Sequence, residues 1–202
     1  MYGLRRTVTP DTLPLDMAIV RTHIAQGDNF DDAYVRGLIF AAAAAAEIRT
    51  HRQLITATWE LTLDAFPCYG QRLLLPLGTV HEVGPITYVD TSGVEQIWPE
   101  DDYQLVTATE PAQIVPAYGG TWPTTRVQPA AVTVPFRVGY GDTHESIPEL
   151  LRHGMLLHVG HKYINREAVV TGTIATVLPF GIDDIFEGFN LGDDFTQYDV
   201  QR

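Results

Sequence analysis

Seven histidines are spread over the 202 residues, and three of them, His153, His158 and His161, fall in one helical stretch. At ~100° per residue His158 and His161 share a helical face, while His153 lies about 140° away from His158. No HExxH pair or second ligand pair accompanies them, so structural or surface imidazoles are the better reading. The single cysteine, Cys68, follows Phe66-Pro67 at a strand end. No local motif there lowers a thiol pKa, so Cys68 reads as a buried thiol and not as a nucleophile. Glu100-Asp101-Asp102, Asp183-Asp184 and Asp193-Asp194 raise the prospect of a hydrolase dyad or a calcium loop. None has the alternating ligand spacing with a closing glutamate, and solvated acidic loops account for them. Gly139-Tyr140-Gly141-Asp142 lacks the lysine and hydroxyl of a phosphate loop, and no GxSxG elbow occurs. The residues give no positive argument for catalysis. The expectation is a protein that is not an enzyme, with no catalytic, cofactor or metal site.

The elements that carry these residues belong to an ordinary globular composition, 45% hydrophobic and 19% charged. The longest apolar run, 38–46, is mostly alanine and too short to span a bilayer. Neither a membrane protein nor a Sec-exported one is expected. One cysteine excludes a disulfide framework within the chain and fits synthesis in a reducing cytoplasm. Asp plus Glu number 25 and Lys plus Arg 13, for a formal charge of -12. An acidic surface repels phosphate, which disfavours tight groove binding of nucleic acid but allows DNA to slide past.

Along the chain, Pro14 suits a first helical turn, Met17, Val20 and Ile24 follow at helical spacing, and Gly27 closes the segment. A second helix is predicted from near Asp28, which would cap it, with Asp31 and Asp32 at the positive end of its dipole. The run 41–46 has high helix propensity and almost no side-chain bulk. Ala42, Ala45 and Ala46 are therefore the candidate positions for close packing against another helix.

The period then shifts to two. Trp59, Leu61, Leu63 and Ala65 alternate with polar residues. Leu73 to Leu77, Ile86 to Val89, Val94 to Trp98, Tyr103 to Val106 and Val132 to Val138 are further strands, with Asp90-Thr91-Ser92-Gly93 as a hairpin turn. Pro135 points to an edge strand. A third helix follows Pro148, with Leu150, Leu157 and Ile164 on one stripe and Leu151, Met155 and Val159 on another, which predicts burial on more than one side.

The predicted fold is α+β: three main helices in a helical bundle, an inserted antiparallel β-sheet region and an extended C-terminal tail. The divisions are 1–54 for the N-terminal helices, 55–142 for the β region, 143–167 for the third helix and 168–202 for an acidic arm. That arm holds six acidic residues and one arginine. Ile182, Ile185, Phe186 and Phe189 fall at i, i+3, i+4 and i+7, one helical face, with Phe180 just ahead of them. These residues either fold back on the domain or dock on a partner.

The order of short motifs is itself informative. Leu13-Pro14-Leu15 precedes the alanine-rich helix ending Arg52-Gln53-Leu54. Trp59-Glu60-Leu61, Leu75-Pro76, Ile86-Thr87-Tyr88-Val89-Asp90 and Tyr103-Gln104-Leu105 follow. Then come Trp122-Pro123, the run Val134-Pro135-Phe136-Arg137-Val138-Gly139-Tyr140-Gly141, Ile147-Pro148, and His161-Lys162-Tyr163-Ile164-Asn165-Arg166-Glu167. Leu178-Pro179-Phe180-Gly181 opens the tail segment. Over nearly its whole length the chain resembles the head–tail connector, or adaptor, proteins of long-tailed bacteriophages, prophages and gene transfer agents.

The resemblance implies a structural virion protein at the head–tail joint. Such adaptors form a ring, usually of twelve copies, below the portal protein. The ring extends the DNA channel and docks the next connector, stopper or tail protein. DNA passes through the lumen without sequence-specific binding, and no membrane is involved. On that reading Phe180, Ile182, Ile185, Phe186 and Phe189 are candidate portal-docking residues. The alternative is a β-rich ligand- or receptor-binding module of a phage tail, for which Trp98, Tyr118 and Trp122 are candidates.

Overall fold

The computed structural model describes residues 2–24, 31–165 and 181–192. These divide into two units. One is built from residues 2–10, 56–140 and 191–192 and carries every strand; the other, from the remaining described residues, carries every α-helix.

The strand unit holds β1 (Tyr2–Val8), β2 (Ala57–Leu63), β3 (Leu73–Leu75), β4 (Val80–Val83), β5 (Ile86–Val89), β6 (Glu95–Trp98), β7 (Tyr103–Val106), β8 (Ala112–Pro116) and β9 (Val132–Val138). They form two antiparallel sheets. The larger runs β1-β2-β9-β5-β6, with β4 also on β9; the smaller runs β3-β8-β7. Period-two alternation sets the register. Ala57, Leu61 and Leu63 of β2 are buried, as are Val132, Val134, Phe136 and Val138 of β9. The same core takes in Leu73, Leu75 and Ile114 from the smaller sheet, so the two sheets close on one apolar interior. Phe66, Trp98 and Trp122 finish it, with ring centroids 5.2–5.4 Å apart. In the β5–β6 hairpin, Asp90 accepts from the Ser92 hydroxyl and from the backbone N–H groups of Ser92 and Val94. The Ser92 hydroxyl first, then Val94 and Gln96, hold its carboxyl down at about 2.

Two strand expectations change. Pro135 lies in the most central strand, not at an edge: β9 pairs β2 on one side and both β4 and β5 on the other. The Pro135 carbonyl accepts from Gly84 N–H at 2.8 Å, in the break between β4 and β5. The N–H that proline lacks would point to that same side, so the ladder with β2 loses nothing. The chain also begins with a strand. β1 pairs β2 antiparallel, supported by Arg5 to Glu60 at 3.0 Å and Arg6 over the Trp59 ring. Its mostly exposed residues, with Arg5 and Arg6 adjacent, gave no period to read.

The helical unit holds α1 (Met17–Ile24), α2 (Asp32–Thr50), α3 (Glu149–Ile164) and α4 (Ile182–Glu187). α2 is capped by Asp31, whose carboxylate accepts from Ala33 and Tyr34 N–H groups at 3.0 and 3.1 Å. Its start therefore lies after Asp31; Asp28 is outside the described residues. Pro148 stands immediately before α3.

The expected three-helix bundle with one inserted sheet region and an extended tail is corrected here. Among the described residues nine strands in two sheets stand beside four helices, of which only α2 and α3 are long. α1 has two turns and cannot act as a third bundle member. The segment expected to be extended contains α4, which packs on α2 and α3.

Candidate functional site on the helical unit

α2 is apolar on two sides. Its inner stripe, Val35, Ile39, Ala42 and Ala46, is buried at successive helical turns, where α3 and α4 pack. The C-terminal end is closed by Thr50 Oγ1 donating to the Ala46 carbonyl at 2.7 Å. Glu47 Oε1 accepts from Gln53 Nε2 and from Leu54 N–H at 2.5 and 3.1 Å. Of the alanines expected to pack, Ala42 and Ala46 belong to this inner stripe and Ala45 is half-buried at its margin.

The outer stripe is Ala33, Gly37, Ala41, Ala44 and Ile48, all exposed, with Phe40 along its edge. Ile48 is 72% exposed and Phe40 40%. A Cβ built on Gly37 would meet nothing within 4 Å. No charge interrupts this stripe. A helix apolar on opposite sides ordinarily has neighbours on both.

A second apolar surface lies between α1 and α3. The helices come together where a Cβ on Gly160 would sit 3.0 Å from His23 Nε2. Beside that crossing runs a groove of about 430 Å³ lined by Ala18, Ile19, Thr22, His23 and Leu156. Ile19 and Leu156 also line a smaller hollow of about 160 Å³, whose far end carries Asp16, Glu149 and Arg152. Asp16 Oδ1 accepts from Ala18 N–H at 2.7 Å, fixing the start of α1. On α3 only the Leu151, Met155 and Val159 stripe is buried. Leu150 and Ile164 of the other stripe are exposed, at 52% and 76%, and Leu157 is half-buried, so burial on both sides does not occur within the subunit.

α4 brings the expected docking residues onto the subunit's own helices. Phe186 is buried, and a Cβ built on Gly154 of α3 would lie 2.9 Å from its ring and 3.1 Å from Ile185 Cγ2. Glycine at 154 is the socket that admits the ring. Arg49 pairs with Asp183, and Arg52 Nε donates to the Phe189 carbonyl at 2.7 Å. Ile182, Ile185 and Phe189 are half-buried, while Asp183, Asp184 and Glu187 face solvent. Phe180 lies outside the described residues.

The other residues with chemical potential are dispersed. Among the described residues no group of three or more His, Cys, Asp or Glu is placed to hold a metal ion. Burial first, then Lys162, His161 and Arg49, lowers the His158 pKa. Cys68 is exposed, against the expectation of a buried thiol, because it sits in a turn beyond the strand end and not in the sheet. Of the aromatic candidates for a ligand surface, Trp98 is buried and Trp122 is stacked on Phe66; only Tyr118 is fully open. Asp193 and Asp194 lie outside the described residues. No described helix is long and apolar enough to cross a membrane.

The sequence placed Ala42 and Ala46 on α2's packing face, as found, but the exposed stripe opposite was not singled out. The signal was present in the spacing of Ala33, Gly37, Ala41 and Ala44. The α1–α3 groove had no comparable signal, because it depends on where two helices cross.

Compared with solved structures, the chain is similar to a component of the virion of a native gene transfer agent (GTA) particle, at 26% identity and a TM-score of 0.75. That match covers 93% of this chain and 94% of the other. It is similar to a chain in the neck of an empty GTA particle computed with C6 symmetry, at 26% identity and TM-score 0.75, over 93% and 95% of the two chains. A chain in the neck of a native GTA particle computed with C12 symmetry matches at 26% identity and TM-score 0.71, over 94% of each. No protein-family model and no curated protein matches the chain.

Proposed function

We propose that this protein is a non-enzymatic structural component of the neck of a phage-like or gene-transfer-agent particle. It acts there as the head–tail adaptor, in a ring of twelve copies below the portal. The observation that carries the reading is the end-to-end likeness to GTA neck chains, more than nine-tenths of both partners at TM-scores of 0.71–0.75. Neck structures computed with C6 and C12 symmetry are what a ring of identical copies gives. The exposed apolar stripe of α2 supports it from the chain's own side, since it supplies surface for a neighbour.

In this role the excess of acidic residues, -12 per copy, keeps DNA from adhering as it passes through the channel. The same charge makes free subunits repel, so the ring forms on a portal template and dilute protein is monomeric. The arm 168–202 is the portal contact. Phe186 anchors α4 to its own subunit, and the half-buried Ile182, Ile185 and Phe189 leave apolar surface for the portal. Electron microscopy of the purified chain, alone and with the portal protein, tests the reading. Closed twelve-copy rings on the portal are expected; a permanent dimer and no ring with portal present would refute it.

A further inference from the structure

A ring of identical copies needs two different surfaces on each copy, because its contacts run head to tail. Resting on the ring reading above, we infer that the outer stripe of α2 in one copy seats in the α1–α3 groove of the next.

The two surfaces match in size. From Gly37 to Ile48 the stripe runs about 16 Å at ~1.5 Å per residue. From Asp16 to His23 the α1 wall runs about 10 Å, and the α3 wall, from Glu149 to Gly160 where His23 crosses, about 16 Å. Their shapes also correspond. Gly37, Ala41 and Ala44 let a neighbouring backbone come close, while Phe40 and Ile48 are the protruding side chains that enter the shallow, open groove.

Charge points to a copy of this chain as the occupant. Exposed Arg36 stands one turn before Phe40 on the stripe's flank, and Asp16 and Glu149 stand at the groove's end beside Arg152. Asp16 and Glu149 outnumber Arg152 by one charge there, so the Arg36 guanidinium meets a net negative end across the junction, which fixes the direction of docking. Copies that each carry -12 need an uncharged contact flanked by a local opposite pair, and these surfaces provide both.

The experiment is photo-cross-linking with p-benzoylphenylalanine in place of Phe40, an exposed aromatic already, in necks isolated from particles and in the full chain at a concentration where it self-associates. Isotopically heavy and light copies are mixed so that bonds between copies are distinguished from bonds within one. Heavy–light cross-links from position 40 to residues 15–23 and 149–160 are expected. Two charge variants extend the test: Ile48→Glu on the stripe and Ile19→Glu in the groove, both at exposed positions. Each alone should weaken self-association by at least ~tenfold with an unchanged melting temperature, because a carboxylate is buried without a partner. Mixed in equal amounts, they should form one-to-one dimers and nothing larger, since each keeps one intact surface. Rings whose cross-links map to α2 of the neighbour or to the strand unit would overturn this contact and leave the ring reading standing. Chains that are monomeric even in isolated necks would overturn both.

Discussion

In the strand unit the large side chains face inward on two sheets, and Phe66, Trp98 and Trp122 close the interior against one another. Its exposed apolar residues are scattered over tips and edges, as Tyr69, Ile97 and Val127 are. In the helical unit the exposed apolar residues line up: Gly37, Ala41, Ala44 and Ile48 on one helix, Leu150 and Ile164 on another. Scattered exposure is the ordinary condition of a protein surface, whereas aligned exposure on a long helix marks a surface that has a partner. On the proposed ring reading, both units are stabilised by their interiors, and the outside of the second is the surface kept for assembly.

The comparison can be broken most forcefully at Phe136, which is buried at the centre of the larger sheet. Phe136→Ala should cost about 3–5 kcal/mol, read from denaturant unfolding, and should affect assembly only through lost folded protein. A smaller and more discriminating test uses two alanines on one helix. Ala42→Leu enlarges a fully buried position and should destabilise by about 1–3 kcal/mol. Ala44→Leu adds the same atoms on the exposed side and should change monomer stability by less than ~0.5 kcal/mol while impairing assembly. Equal effects of the two on unfolding would erase the distinction between the faces.

The legible part of the molecule was the part set by local chemistry. The alternation of Val132, Val134, Phe136 and Val138 fixed both a strand and its buried face. The Asp90-Gly93 turn announced its hairpin, and Pro148 marked the start of α3. The misread parts were decided by partners far away in the chain. Pro135 is tolerated centrally because β4 and β5 leave a break opposite it. β1 exists because β2 offers it a ladder. The Ile182–Phe189 spacing showed an apolar face, but that Phe186 within it packs inside the subunit turned on Gly154, whose missing side chain makes room for the ring. The outer stripe of α2 was hidden for another reason. The spacing of Val35, Ile39, Ala42 and Ala46 marks the inner face, but only the fold shows that Ala33, Gly37, Ala41, Ala44 and Ile48 on the opposite side are left exposed.

The smallest expected effect is a pH dependence confined to the helical unit. Burial first, then nearby Lys162, His161 and Arg49, lowers the His158 pKa in the folded protein. The unfolded chain therefore binds more protons on acidification. The stability that depends on neutral His158 is complete above its ordinary value, about 6.5, and declines as pH falls below it. Thermal melts between pH 7.5 and 5 should show a shallower decline for His158→Gln than for the wild type. Identical slopes would mean that His158 titrates as it does in the unfolded chain.

The central claim is that this chain forms a closed neck ring through its helices. Cryo-electron microscopy of the chain assembled on its portal tests it most directly. The account predicts twelve copies with α2 at each subunit boundary and its outer stripe covered by the next copy. A ring joined through the strand units, with Gly37, Ala44 and Ile48 left facing solvent, would contradict it.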